Sequence, residues 1–143
     1  GLIENTKADN AKERLRKIIH CLLTDPSTHA LDAVMISQVT NPYFVVSGLK
    51  TCVNQDAPVI ARLIQDGIED GSIQTDKPMF CAEVFLMLFN FWLNPTLFGR
   101  GKRETRERLE YLQSLMCLVG LDIIDDDFID YFIEGYDKMG AYL

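Results

Sequence analysis

The sequence predicts an all-α fold, an antiparallel bundle of about six helices, on three observations. Apolar residues recur at helical spacing along most of the chain. No stretch alternates with the period of two that a half-buried strand needs. Pro and Gly punctuate the helical stretches at short intervals, so neighbouring helices are expected to pack up-and-down. Residues 1–143 are expected to form a single domain. A chain of this length buries about two thirds of the surface it exposes when unfolded, and 48% hydrophobic residues supply the interior.

The first predicted helix runs from Ala8 to Leu23, with Ala11, Leu15, Ile18, Ile19 and Leu22 on one stripe. The second runs from Pro26 to Val39, with Asp25 as its cap, and is apolar around most of its circumference. The third starts at Asn41-Pro42 and reaches Asp70, where Gly71 is a natural stop. Pro58 lies inside it, removes a backbone donor and clashes with the preceding turn, so a kink is expected near Asn54 to Asp56. The fourth runs from Lys77 to Asn94, with Thr75 and Asp76 as candidate caps and Pro78 in its first turn. Phe80, Phe85, Phe89, Phe91 and Trp92 crowd its surface, and such a helix must bury a second face against something outside its own domain. The fifth, from Arg103 to Val119, carries a seam of Leu109, Leu112, Leu115, Met116 and Val119. The sixth, from Asp126 to Tyr142, places Ile129, Phe132, Ile133 and Tyr136 on one face.

The formal net charge of -7 repels phosphate and argues against nucleic-acid binding by this segment itself. Cys21, Cys52, Cys81 and Cys117 are scattered, with no metal spacing, and are expected to be small buried thiols in a reducing compartment. No signal peptide is evident, and the most apolar stretch, Met79 to Leu93, is too short to span a bilayer comfortably. These features predict a cytoplasmic protein with no membrane partner.

One segment carries a family pattern. Leu63-Ile64-Gln65-Asp66-Gly67-Ile68-Glu69-Asp70-Gly71-Ser72-Ile73, followed by Pro78, resembles the "L-I-x-x-G-I-x-x-G-x-[FI]…P" segment of the C-terminal domains of bacterial TetR-family (AcrR-like) transcriptional regulators. Pro58 upstream resembles a pattern seen in part of that family. Gly71 permits a left-handed cap, Ile73 can fold back onto the helix just ended, and Gly67 permits close approach.

The resemblance implies the ligand-sensing and dimerisation domain of a repressor. The family's N-terminal helix-turn-helix domain is absent from this chain. Its first helix resembles the one that follows that domain, with Leu2 to Thr6 as the end of a connector. The implied partners are a second copy of the chain, a small and largely apolar effector, and operator DNA reached only through the absent domain. The fourth and fifth helices are expected to pair across a two-fold axis through Leu86, Asn90, Leu93, Leu109, Leu112 and Met116. The effector pocket is expected among Met35, Gln38, Leu49, Val53, Phe85 and Phe89. No cofactor is expected.

Other candidate groups have simpler explanations. Gln38, on the stripe of Leu31, Val34 and Met35, is expected to bond a neighbouring backbone group or an effector. Asp56 is expected to cap the helix restarted after the kink, with a cationic ligand as the rival use. The Asn54 carbonyl loses its helical donor to Pro58 and is left for water or a ligand. His20 and His29 lack a spaced second ligand and are expected at the surface or boundary. Asp122, Asp125, Asp126 and Asp127 lack the glycine and terminal glutamate of a calcium loop, so they are expected to cap the last helix and offset its dipole. Arg100, Lys102, Arg103, Arg106 and Arg108 interleave with Glu104, Glu107 and Glu110 as a solvated ion-pair face. No nucleophile elbow, phosphate loop or paired catalytic carboxylates are present, so catalysis is not expected. The rival functions are a stand-alone helical protein-interaction module and, less well supported, a small-molecule enzyme on a helical bundle.

Overall fold

The computed structural model describes residues 7–24 and 37–143, and no strand occurs among them. Helix α1 spans Ala11–Thr24, α2 Pro42–Thr51, α3 Ala57–Asp70, α4 Pro78–Met87, α5 Pro95–Phe98, α6 Lys102–Leu118 and α7 Asp126–Lys138. The expected helix from Pro26 to Val39, with its Asp25 cap and His29, lies almost wholly outside the described residues.

Local chemistry sets the helix ends. Asn10 accepts from the Glu13 amide at 2.9 Å and opens α1 three residues later than expected. Asn41 caps α2 by accepting from the Tyr43 amide, with Pro42 in the first turn. Gly71 closes α3 at φ 84, a left-handed value that costs glycine nothing. Asp125 caps α7 by accepting from the Phe128 amide at 2.7 Å, with Asp126 and Asp127 in the first turn, as expected. Thr75 and Asp76 do not cap α4; Lys77 occupies that position without a side-chain bond. Helix α7 ends at Lys138, short of Tyr142, because the chain turns at Gly140 with φ 67.

Between α2 and α3 the chain does not break. It passes through a π-helical turn over Cys52–Asp56, in which the Ala57 amide donates to the Cys52 carbonyl. Pro58, which brings no N–H to the ladder, follows immediately, so the expected irregularity takes this form. A second π-helical turn, Leu88–Trp92, extends α4, and its Leu93 amide donates to Leu88 at 2.9 Å. No residue pattern marks this turn in advance, whereas α5 opens on Asn94-Pro95, the same cap-and-proline pair that opens α2. Asn94, expected only to close α4, is buried and accepts from the Thr96 and Leu97 amides to start α5.

The core collects one stripe from each long helix. Ala11, Leu15, Ile18 and Ile19 come from α1; Ala57, Ala61 and Ile64 from α3; Leu109, Leu112 and Met116 from α6; Phe128, Ile129, Phe132 and Ile133 from α7. Each set recurs at three- or four-residue spacing, which turns one face inward. Leu121, Ile123 and Ile124, in the link between α6 and α7, are buried too. Full burial of each large apolar side chain stabilises by about 1.5–3 kcal/mol. Buried Thr105 is tolerated because its hydroxyl donates to the Gly101 carbonyl at 2.9 Å.

Candidate functional site

The motif from Leu63 to Ile73 forms one structural unit. Leu63, Ile64 and Gly67 are buried on α3, and Ile73 is buried after the turn. The Ile73 amide donates to the Gly67 carbonyl at 3.0 Å. A Cβ on Gly67 would lie 2.4 Å from Ile73 Cδ1, so the isoleucine side chain occupies the space that glycine leaves. The close approach at Gly67 is therefore by this side chain.

Beside the turn lies a groove of about 600 Å3. Gln74, Thr75, Asp76 and Lys77 form one end. Phe80, Cys81 and Val84 of α4 and Leu115 to Val119 at the end of α6 form its sides. Several of these apolar side chains face solvent: Phe80 is 63% exposed, Val84 47% and Leu118 84%. Tyr111, one turn back on α6, is 65% exposed. Burial pushes the Cys81 thiol above its ordinary pKa. Burial and the bond from the Cys117 thiol to Asp122 push Cys117 up as well.

The residues expected at the dimer seam fall elsewhere. Leu93, Leu109 and Leu112 have no exposed surface and Met116 has almost none. All four belong to the chain's own core, so they offer nothing for a second subunit to touch. Leu86 and Asn90 are half-buried, and Asn90 Nδ2 donates to Cys52 Sγ at 3.4 Å, bridging the two π-helical turns. The exposed large apolar side chains of α4 and of α6 with its C-terminal end are instead Met79, Phe80, Val84, Met87, Tyr111, Leu118 and Val119. Helical spacing carried the signal: Tyr111 and Leu118 lie off the stripe of Leu109, Leu112 and Met116.

The expected pocket residues separate similarly. Met35 lies outside the described residues. Gln38 is exposed, and its backbone carbonyl accepts from the Asn41 amide. Leu49 and Val53 are half-buried, on α2 and in the first π-helical turn respectively. Phe85 is buried and stacks on Phe89 at 5.6 Å. Phe89 in turn meets Phe128 at 5.6 Å and Phe132 at 5.7 Å, so this pair packs on α7 rather than lining the groove. Phe91 packs over Gly48, where a Cβ would stand 2.8 Å from its ring.

The charged groups divide. Lys102–Asp137 (2.7 Å), Arg103–Glu107 (3.1 Å) and Arg106–Asp130 (3.0 Å) form the expected solvated ion pairs. Arg100 does not belong with them. It is buried, donates to the Trp92 carbonyl, and lies against the Phe98 and Trp92 rings at 4.4 and 5.8 Å. Burial, then the neighbouring Arg108 charge, lower its pKa. Asp56 is exposed and makes no capping bond, which corrects the expected role. His20 is partly exposed, as expected, and bonds Asp125 at 3.1 Å. No disulfide joins the four cysteines, and Cys21 and Cys117 are exposed, contrary to expectation. Among the described residues no cluster of three metal-ligating side chains occurs, and no helix is long and apolar enough to cross a membrane.

No protein-family model matches the chain, and no curated protein matches it.

Proposed function

We propose that the chain is the ligand-sensing and dimerisation domain of a TetR-family transcriptional regulator. The observation that carries this is the unit from Leu63 to Ile73. Its two family-like glycines each serve a definite purpose. Gly71 takes the left-handed cap, and Gly67 yields its space to Ile73. An all-helical framework and an outward apolar face on α4 and α6 support the same conclusion.

In this proposal two copies pair through Phe80, Val84, Tyr111, Leu118 and Val119. A small, largely apolar effector is held near Leu49 and Val53, beside the paired π-helical turns. It acts by favouring one helix arrangement and so resetting the spacing of helix-turn-helix heads outside this chain. No catalytic step is assigned.

Sedimentation equilibrium tests the pairing. The expected species is a dimer that the double substitution Phe80→Glu, Leu118→Glu converts to a folded, helical monomer. A wild-type chain that is monomeric at all concentrations would overturn the dimer. It would favour the rival function, an interaction module whose exposed α4–α6 face meets a different protein.

A further inference from the structure

We propose that the turn from Gly71 to Lys77 is a coupling device, which transmits the state of the α4–α6 groove to the first turn of α1. The device does not depend on the effector assignment.

Three sets of bonds meet in this turn. Towards α1, Asp70 Oδ2 accepts from the Ala11 amide at 2.8 Å and Ser72 Oγ accepts from the Lys12 amide at 3.2 Å. These are first-turn amides that have no partner within their own helix. Asp70 Oδ1 also accepts from the Ser72 amide at 2.9 Å, which fixes the two acceptors relative to each other. Within the turn, the Ile73 amide holds Gly67 and the Ile73 side chain fills the space beside it. Towards α6, the Gln74 amide donates to the Gly120 carbonyl at 3.2 Å.

That last contact is unusually close. A Cβ on Gly120 would stand 2.8 Å from both the Gln74 carbonyl carbon and the Thr75 nitrogen, so two backbones touch with no side chain between them. Gly120 also takes a φ of 85. The groove has Gln74 to Lys77 on one side of this contact and Leu118 to Gly120 on the other. Anything seated in the groove therefore bears on both partners of the Gln74–Gly120 bond. Ile73 ties the turn to the end of α3 through Gly67, so the turn and that helix end move together. Movement at Gln74 passes to Ser72 and Asp70, and so to the amides of Ala11 and Lys12, where residues 7–10 join the bundle.

Residue-resolved hydrogen exchange of the full chain tests this. Gly120→Ala wedges the two backbones apart. It is expected to speed exchange of the Ala11 and Lys12 amides about tenfold or more relative to amides in the middle of α6. Gly140→Ala is the control. Gly140 has a similar left-handed backbone, φ 67, but nothing lies within 4 Å of an added Cβ. It is expected to leave that ratio unchanged. An unchanged ratio in Gly120→Ala, or an equal change in Gly140→Ala, overturns the proposal. Asp70→Ala runs the coupling in reverse and decides the matter if Gly120→Ala does not fold. It is expected to speed exchange of the Gln74 amide, and an unchanged Gln74 amide overturns the proposal.

Discussion

Gly67 and Gly71 sit four residues apart on one helix end and are constrained for different reasons. At Gly71 the backbone itself is left-handed, with no atom near an added Cβ. Gly71→Ala is expected to cost about 1 kcal/mol, the ordinary penalty for a side chain in that conformation. At Gly67 the backbone is helical, and the obstacle is Ile73, whose Cβ, Cγ1 and Cδ1 all lie within 3.0 Å of the added carbon. Gly67→Ala is expected to cost about 1–3 kcal/mol through overpacking. Ile73 is buried, so Ile73→Ala alone is expected to cost about 2–5 kcal/mol. The double mutant is expected to cost less than the two single changes added together, a coupling read by thermal denaturation of both single mutants and the double. Asp70 adds a pH dependence. Its bonds from the Ser72 side chain, the Ala11 amide and the Ser72 amide hold its carboxyl below the ordinary value. A depressed carboxylate pKa contributes stability that is full above the ordinary aspartate pKa of about 3.9 and is lost as pH falls through the folded-state value. Asp70→Asn should therefore flatten the acid end of the stability profile and leave its slope near neutrality unchanged.

Among the helices, legibility followed how local each signal is. The stripe of α6 and the caps of α2 and α7 were readable because period and capping act within a few residues. The Pro58 irregularity was readable because proline removes a donor wherever it stands, although whether the chain would kink or form a π-helical turn was not. The turn at Leu88–Trp92 has no such residue, and its Asn90–Cys52 bridge joins positions 38 apart. Which apolar residues point outward was hard to read for a related reason. Helix α4 is apolar on every side, so periodicity cannot say which side faces inward; on α6, the stripe of Leu109, Leu112 and Met116 faces the chain's own core. Leu112 lies wholly inside the core. Leu112→Ala is expected to cost about 2–5 kcal/mol and leave a folded chain of unaltered association state. Association would respond to Leu118→Glu instead, as measured by sedimentation.

For the molecule as a whole, thiol chemistry offers a simple check on how its layers are arranged. Cys21 and Cys117 are exposed, whereas Cys52 and Cys81 are buried. A water-soluble disulfide reagent should titrate the first two in the native protein and the second two only on unfolding. Cys117 should react sluggishly at neutral pH, because its raised pKa keeps the thiolate scarce. The distant capping of α1 also bears on the order in which the molecule comes together. Two of its first-turn amides, those of Ala11 and Lys12, wait for Asp70 and Ser72, which follow 59 and 60 residues later. At a synthesis rate of about 5–20 residues per second, that separation is roughly 3–12 seconds of translation. A 14-residue helix is marginal alone in water. In the growing chain α1 is therefore made early and completed late: it stays an unfinished helix with an open apolar stripe until the ribosome has delivered the end of α3.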